Sequence, residues 1–261
     1  MDYRNKTVFV AGGTSGINLG IAEAFAAAGA RVAVLSRSQE KVDAAVAGLR
    51  ASGAEAIGYA ADVRDYAAVI DAMAATHRKW GDLDVLISGA AGNFLAPAAQ
   101  LSANAFKTVI DIDLLGGFNV MRAAFEYLRK PGAAIINISA PQAWLPTPFQ
   151  IHACAAKAGI DQVTRTAAME WGPLGIRVNG IAPGPIADTE GMRRLAPTAA
   201  AEKAITGSVP LRRYGTRSEI AKVALWLCSE DAAYVTGAIL PVDGGWSLGG
   251  SGAMLATAGT G

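Results

Sequence analysis

Residues 7–20 of the chain read Thr-Val-Phe-Val-Ala-Gly-Gly-Thr-Ser-Gly-Ile-Asn-Leu-Gly. A short, β-branched apolar run leads straight into a glycine-rich turn, after which Ile17, Ile21 and Phe25 recur at helical spacing. This order predicts a strand, a tight turn and a helix. Backbone amides in such a turn can approach a pyrophosphate at the helix N-terminus, where the helix dipole favours negative charge. Taken alone, the turn fits a nucleotide site and a packing turn equally well.

The same alternation of strand and helix continues along the chain. Apolar, strand-like runs occupy residues 31–36, 54–60, 83–88, 133–139, 177–181 and 238–242. Helical periodicity is found at 65–80, 102–129, 153–171 and 216–229. Strands that are apolar on both faces are typical of a parallel sheet covered by helices on each side. The sequence therefore predicts one α/β domain over residues 1–246, a Rossmann-type doubly wound parallel sheet of about seven strands.

Composition narrows the possible partners. Hydrophobic residues make up 52% of the chain and the formal net charge is only +1, so we expect no nucleic-acid partner and no anionic membrane surface. No apolar stretch approaches the roughly 20 residues of a membrane helix, and neither terminus carries a secretory or peroxisomal signal. The 2 cysteines lack metal-site spacing, so we expect no metal. These features together predict a cytoplasmic protein.

Two segments depart from the regular alternation. Residues 183–215 contain prolines and glycines around two short helical pieces, which predicts a substrate lid, with a decorative insertion as the alternative. Residues 247–261 are rich in Gly, Ser and Ala and predict either a loose C-terminal tail or an arm that orders against a neighbouring subunit.

The glycine turn resembles the Thr-Gly-x-x-x-Gly-x-Gly pattern of the short-chain dehydrogenases/reductases, with Ala11 in place of the threonine and Asn18 in place of the last glycine. Because Asn tolerates left-handed backbone angles, the turn geometry can survive this exchange. Further segments that match the family pattern are Asp62-Val63, Ser88-Gly89-Ala90-Ala91-Gly92, Pro183-Gly184-Pro185-Ile186 and Asp243-Gly244-Gly245. The resemblance covers residues 5–246 and implies a nicotinamide cofactor.

The end of the second predicted strand indicates which cofactor. An acidic residue there would bind the ribose of NAD, but this chain has Ser36, Arg37 and Ser38, whose guanidinium and hydroxyls suit a 2′-phosphate. Alternatively, Arg37 is an ordinary exposed cation at a helix start. The resemblance therefore implies NADP(H), bound by Gly12, Thr14, Ser15, Gly16, Ile17, Asn18, Ser36, Arg37, Ser38, Asp62, Val63, Gly89, Ala90, Ala91, Lys157, Pro183, Gly184 and Ile186.

The catalytic positions of this family are altered. Typical members have Tyr-x-x-x-Lys on a helix and a Ser before it; Lys157 fits the lysine, but Ala153 and Ala140 stand at the Tyr and Ser positions, and neither can transfer a proton. Asp113 stands where the family has an Asn, and it is either a functional carboxyl or a solvated helix-face charge. His152 lies beside the missing tyrosine, but adjacent helical positions face different ways, which disfavours it as a substitute acid. The chain is therefore inactive or performs hydride chemistry that needs no phenol.

This combination resembles the peroxisomal type of 2,4-dienoyl-CoA reductases, and the segments 90–95, 104–109 and 182–191 agree with it. The resemblance implies NADPH-dependent reduction of an acyl-CoA substrate by a homotetramer. Asn93 would donate to the thioester oxygen, and Asp113 with Lys157 would hold the water that delivers a proton. The alternatives are that Asn93 merely caps its own loop, that the substrate is a carbonyl compound, or that the protein binds NADP(H) without catalysis.

Overall fold

Seven parallel strands form one sheet in the computed structural model, which describes residues 1–249. The strands are β1 (Thr7–Ala11), β2 (Arg31–Ser36), β3 (Ala56–Ala60), β4 (Val85–Ser88), β5 (Ala134–Ile138), β6 (Arg177–Pro183) and β7 (Ile239–Val242). Their order in the sheet is β3-β2-β1-β4-β5-β6-β7. The predicted Rossmann-type fold is therefore confirmed. The strand order reverses between β1 and β4, and this reversal opens a crevice at the carboxyl ends of the strands.

Nine α-helices are found within the described residues. They are α1 (Gly16–Ala27), α2 (Gln39–Ala51), α3 (Tyr66–Trp80), α4 (Ala103–Val109), α5 (Gly116–Ala124), α6 (Ile151–Trp171), α7 (Glu190–Leu195), α8 (Ala199–Ser208) and α9 (Arg217–Cys228). None of the described helices is both long enough and apolar enough to cross a membrane.

The helices cover both faces of the sheet because the strands alternate their side chains between two cores. On β1, Val8 and Val10 join the core formed with α1, α2 and α9, whereas Phe9 joins the core formed with α3, α5 and α6. All three side chains are fully buried. Alternate residues of a strand point to opposite faces, so a run that is apolar throughout is buried on both sides.

The helical periodicity at 102–129 corresponds to one continuous helical run that is α-helical only in part. Between α4 and α5 the chain forms a π-helical segment, Ile110–Leu115, and α5 ends at Ala124. The apolar periodicity continues through the segment, which is why the pattern of residue types predicts one helix. A π-helical turn changes the direction of the side chains within it, and such turns often occur at functional sites. Here the segment contains Asp113.

The lid prediction falls on a segment that has its own secondary structure. Residues 183–215 start at the last residue of β6 and contain α7 and α8, the two short helices predicted there. The predicted tail, 247–261, lies outside the described residues from position 250 onward. The proposed domain boundary at residue 246 stays a prediction.

Candidate active site and cofactor cleft

A cleft with a cavity of about 240 Å³ lies at the carboxyl ends of β1, β2, β3 and β4, where the strand order reverses. Its lining residues are Gly12, Thr14, Ser15, Asn18, Leu35, Ser36, Arg37, Lys41, Ala61, Asp62, Val63, Gly89, Ala90, Ala91, Ile112 and Glu190. Eleven of these were predicted from the sequence. Of the other five, Leu35 and Ala61 directly precede predicted residues in the sequence, whereas Lys41, Ile112 and Glu190 lie on separate helical elements.

The glycine turn leaves its backbone open to the cleft. Gly12 has a φ of +76° and Gly16 a φ of +54°, backbone conformations that side chains rarely adopt. A Cβ at Gly12 would lie 2.9 Å from the backbone of Ala90, so no larger residue fits without a shift. The turn therefore provides the close backbone approach that a pyrophosphate requires at the start of α1.

Asn18 supports this turn in a way that the sequence did not predict. Asn18 lies inside α1 and does not have a positive φ angle. The prediction that asparagine is accepted here because it tolerates left-handed backbone angles is therefore wrong. Its Nδ2 donates to the carbonyl oxygen of Gly89 at 2.7 Å. A Cβ at Gly89 would lie 2.3 Å from Asn18 Oδ1, so the two residues are closely packed. Asn18 thus joins α1 to the end of β4.

The far end of the cleft is cationic. Ser36, Arg37 and Lys41 line it, and no acidic side chain stands among residues 36–38. Ser38 is not part of the lining; it is the N-cap of α2, where its hydroxyl accepts the Lys41 backbone N–H at 3.4 Å. This end of the cleft therefore presents two cationic side chains and the Ser36 hydroxyl.

The cleft is also lined by a paired carboxylate, Asp62. Arg64 Nη2 lies 2.7 Å from Asp62 Oδ2, and the hydrogen bonds from Arg64 lower the pKa of the Asp62 carboxyl, with Arg37 adding a weaker effect. Asp62 therefore stays ionised and fixed in place at neutral pH. Sequence reasoning missed Arg64, although its position two residues after Asp62 is a recognisable i,i+2 pairing.

The predicted residues at the end of β6 do not line this cavity. Ile186 is 3% exposed and belongs to the core, and neither it nor Pro183, Gly184 or Ile17 lines the cavity. A Cβ at Gly184 would lie 2.6 Å from the Cα of Asp243, so this glycine allows the β6 and β7 ends to pack closely.

The structure brings two of the predicted catalytic residues together. Lys157 Nζ lies 3.4 Å from Asp113 Oδ2, and the Asp113 side chain is only 1% exposed. Asp113 Oδ1 accepts the backbone N–H of Gly92 at 2.7 Å, and Lys157 Nζ donates to the carbonyl oxygen of Ile138 at 3.0 Å. A buried charge is tolerated when it is paired and hydrogen-bonded in this way. Asp113 is therefore an inward-facing carboxyl and not a solvated helix-face charge.

The third predicted catalytic residue, Asn93, lies on the loop after β4. Its Nδ2 donates to Gln150 Oε1 at 2.7 Å, and its carbonyl oxygen lies 3.4 Å from Nη1 of Arg194 on α7. The amide of Asn93 thus bonds to a residue 57 positions away and not to its own loop. Gln150 was missed by sequence reasoning, because nothing in the local pattern marks it.

His152 is completely buried, and its ring lies 4.4 Å from the ring of Phe94, centroid to centroid. Neither ring nitrogen has a hydrogen-bond partner within the part of the chain that the structure describes. The side chain packs against Phe94, and within the described residues it makes no hydrogen bond or ion pair with Asp113 or Lys157. This placement agrees with the prediction that His152 does not replace the tyrosine.

One further buried carboxyl lies behind the Lys157–Asp113 pair. Asp161, one helical turn after Lys157 on α6, accepts a hydrogen bond from the Ser139 hydroxyl. Burial raises the pKa of Asp161, while Ser139, Arg165 and Lys157 oppose the shift. Two residues before Ser139, on β5, Asn137 Nδ2 donates to Thr164 Oγ1 at 2.8 Å. These contacts attach α6 to β5 and so help to fix the position of Lys157 relative to the sheet.

The fold and the site together define a dinucleotide-binding protein whose cofactor cleft adjoins a buried lysine–carboxylate pair. The chain belongs to the short-chain dehydrogenase/reductase family: residues 11–247 match the family model described as enoyl-(acyl carrier protein) reductase. Membership of this family implies a nicotinamide cofactor and an oxidoreductase.

Curated relatives and solved structures agree with this assignment. The chain is 46% identical over 244 residues to the peroxisomal 2,4-dienoyl-CoA reductase [(3E)-enoyl-CoA-producing] of Rattus norvegicus, covering 93% of this chain and 84% of the relative. It is 38% identical to a probable 2,4-dienoyl-CoA reductase [(2E)-enoyl-CoA-producing] of Bacillus subtilis, covering 92% and 96%. A short chain dehydrogenase from Bacillus anthracis superposes with a TM-score of 0.87 at 40% identity, covering 94% and 98%.

Proposed function

We propose that this protein uses NADPH to reduce 2,4-dienoyl-CoA to 3-enoyl-CoA, a step in the oxidation of unsaturated fatty acids. The observation that carries the proposal is the buried Lys157–Asp113 pair next to two alanines, Ala140 and Ala153, where carbonyl chemistry would require a serine and a tyrosine. The curated relatives that share 42–46% of the sequence are named as reductases of this substrate. The (3E) product in the name of the rat relative is the isomer expected from protonation next to the thioester.

The reaction needs a hydride donor, a group that stabilises the oxyanion and a source of a proton. When bound, the cofactor supplies hydride to the far end of the conjugated system, at C5. The electrons of the two double bonds then move toward the thioester, which leaves a double bond between C3 and C4 and negative charge on the thioester oxygen. A proton added at C2 completes the 3-enoyl product and balances the charge.

The residues of this chain match those needs. Asn93 presents an amide N–H toward the thioester oxygen, where it stabilises the charge that develops in the transition state. Asp113 and Lys157 hold and polarise the water that delivers a proton to C2. Lys157 also binds the nicotinamide ribose. The tyrosine that Ala153 replaces is not required, because the reaction does not interconvert an alcohol and a ketone and so no substrate hydroxyl gains or loses a proton.

The choice of NADPH over NADH rests on the cationic end of the cleft. Arg37 and Lys41 line it at the end of β2, and a doubly charged phosphate gains two charge-assisted contacts there. NADH lacks that phosphate, and its ribose would find no carboxylate among residues 36–38.

The acyl-CoA substrate lies under the segment 183–215, which acts as a lid. Glu190 on α7 lines the cofactor cleft and pairs with Arg194, which in turn contacts the Asn93 loop. The lid therefore spans the cofactor cleft and the loop that carries the oxyanion donor. Ordering of such a segment over a substrate excludes water from the site.

The oligomer is a homotetramer. Leu115 and Phe118, at the end of the π-helical segment and on α5, are each 47% exposed, and Met169 on α6 is 82% exposed. Exposed apolar side chains on adjacent helices favour burial against another subunit. We propose a cytoplasmic location for this chain, although the rat relative is named peroxisomal.

A single assay distinguishes this function from two others, carbonyl reduction and the binding of NADPH without catalysis. The purified protein is mixed with NADPH and a 2,4-dienoyl-CoA, with NADPH and a saturated ketone, and with NADH in place of NADPH, while the loss of cofactor absorbance is followed. We expect turnover with the dienoyl-CoA and NADPH and none with the ketone. Turnover of the ketone alone would show a carbonyl reductase, and binding of NADPH without turnover of either would show a non-catalytic protein.

A further inference from the structure

The loop that carries Asn93 is attached to the start of α6 by three contacts in sequence. Asn93 Nδ2 donates to Gln150 Oε1 at 2.7 Å, the ring of Phe94 packs on His152, and the Ala96 N–H donates to the carbonyl oxygen of Phe149 at 2.9 Å. Each contact joins residues more than 50 positions apart. The loop is thus held along its length by one short stretch, residues 149–152.

Gln150 is a buried polar residue at a fixed point of the backbone. It is only 5% exposed, and it directly precedes α6 as its N-cap residue. The preceding residue, Phe149, has a φ of +65°, a left-handed conformation that is costly for a residue with a bulky side chain. Such a strained conformation persists only where surrounding contacts fix the backbone, and strained residues of this kind cluster at functional sites.

The same loop is fixed on its other side by the acid. Gly92 donates its backbone N–H to Asp113 Oδ1 at 2.7 Å, and the next residue is Asn93. Of these consecutive residues, Gly92 contacts the carboxyl that holds the water, and Asn93 carries the amide that faces the thioester oxygen. The oxyanion donor and the proton source are thereby positioned relative to each other by a dipeptide.

A carboxamide nitrogen has two N–H groups and its oxygen only accepts. The orientation of the Asn93 carboxamide therefore decides whether an N–H group or the oxygen faces the substrate. When Gln150 Oε1 accepts one of them, the other N–H is left for the substrate, and the Asn93 oxygen is turned away from the developing negative charge. We propose that Gln150 is a positioning residue that orients the Asn93 carboxamide as an oxyanion donor. This inference rests on the proposed dienoyl-CoA reduction.

The energetic reason is preorganisation. A donor that is already aimed at the oxyanion position costs no reorganisation during the reaction, and removing one such donor costs about 10²-fold in kcat. Losing only its orienting partner leaves the donor in place but free to rotate, so the expected loss is smaller, about 10-fold.

The test is a double-mutant cycle on the full-length protein, measured as single-turnover hydride transfer from NADPH to 2,4-hexadienoyl-CoA. Gln150→Met removes the acceptor at similar volume, Asn93→Ala removes the donor, and the third variant carries both changes. We expect Gln150→Met to lower the rate about 10-fold and the double variant to be no slower than Asn93→Ala alone, because Gln150 acts only through Asn93. The dissociation constant for NADPH should stay unchanged.

Two further variants separate positioning from general stability. Gln150→Glu presents only acceptor oxygens, so it should orient Asn93 in the same way and restore most of the rate lost in Gln150→Met. Gln162→Met makes the same chemical change at an exposed position of the same helix and should leave the rate unchanged.

Each outcome decides the matter. Full activity in Gln150→Met, or a loss in the double variant that multiplies the two single losses, would overturn the role of Gln150 while the dienoyl-CoA reduction stands. If Asn93→Ala keeps full activity, Asn93 is not the donor and the inference fails with it. If the unaltered protein does not reduce the dienoyl-CoA, it is the proposed function that fails.

Discussion

The nucleotide-binding half, from β1 to β3, and the catalytic half, from β4 to α6, use their residues in different ways. In the first half the glycine turn presents mainly backbone to the cleft, so Gly12 and Gly16 matter for the space and the φ angles that they allow. In the second half the proposed reaction depends on a few buried side chains, chiefly Asp113 and Lys157. The difference teaches that the same family fold can keep its cofactor while its reaction changes.

Departures from the family pattern have correspondingly different consequences. In the turn, Asn18 replaces a glycine and compensates by a hydrogen bond to Gly89, so the shape of the cleft is kept. In the catalytic half, alanines replace the serine and the tyrosine, and nothing within the described residues supplies another proton donor at those positions. What remains is a carboxyl and an ammonium, which suit protonation of a carbanion through water.

The largest expected effect tests the catalytic half. Asp113→Asn keeps the size and the hydrogen bond to Gly92 but removes the ionisable group, so single-turnover reduction of dienoyl-CoA should fall by about 10²-fold while the dissociation constant for NADPH barely changes. The control is Asp111→Asn, a change in the same π-helical segment at a carboxyl that pairs with Lys107. Full activity in Asp113→Asn would show that another group handles the proton.

The next effect tests the nucleotide-binding half. Arg37→Glu places a carboxylate where a ribose-binding acid stands in NAD-dependent proteins, so the ratio of the NADH to the NADPH dissociation constant should fall by about 10-fold or more. Isothermal titration of both cofactors measures the ratio. The rate of hydride transfer at saturating cofactor should change little, because Arg37 is remote from the Lys157–Asp113 pair. Equal affinities for both cofactors in the unaltered protein would contradict the assignment of the phosphate site.

The smallest expected effect concerns the support of the catalytic half. Burial raises the pKa of Asp161 above its usual value, so folding favours the protonated carboxyl. The associated stability is fully present below the unfolded pKa and is lost as the pH rises through the folded pKa. Asp161→Asn, which still accepts from Ser139, should therefore raise the melting temperature by a few degrees at pH 7 and by less at pH 4.

Differential scanning calorimetry across this pH range checks the prediction about Asp161. Asp71→Asn, a change at an exposed position of α3, is the matched control and should leave the melting temperature unchanged at both pH values. A difference between Asp161→Asn and the unaltered protein that does not vary with pH would mean that the carboxyl is not the source of the effect.

Much of the fold could be predicted from the sequence because its signals are local. The strands β1 and β2 begin and end where the apolar runs begin and end, and α3 and α6 lie within two residues of the predicted bounds. Each of these elements is buried on the face that its own periodicity defines. The replacement of the catalytic serine and tyrosine was equally visible, since a residue type at a fixed spacing needs no coordinates.

The remaining features were decided by tertiary structure. The π-helical segment around Asp113 leaves no mark on the apolar periodicity, and the contacts of Asn18 with Gly89 and of Asn93 with Gln150 join residues on different elements. Such contacts depend on the order of the strands and on how far each loop reaches beyond the sheet. The sequence by itself therefore determined which groups are available for chemistry, and only packing between distant segments decided which way those groups point.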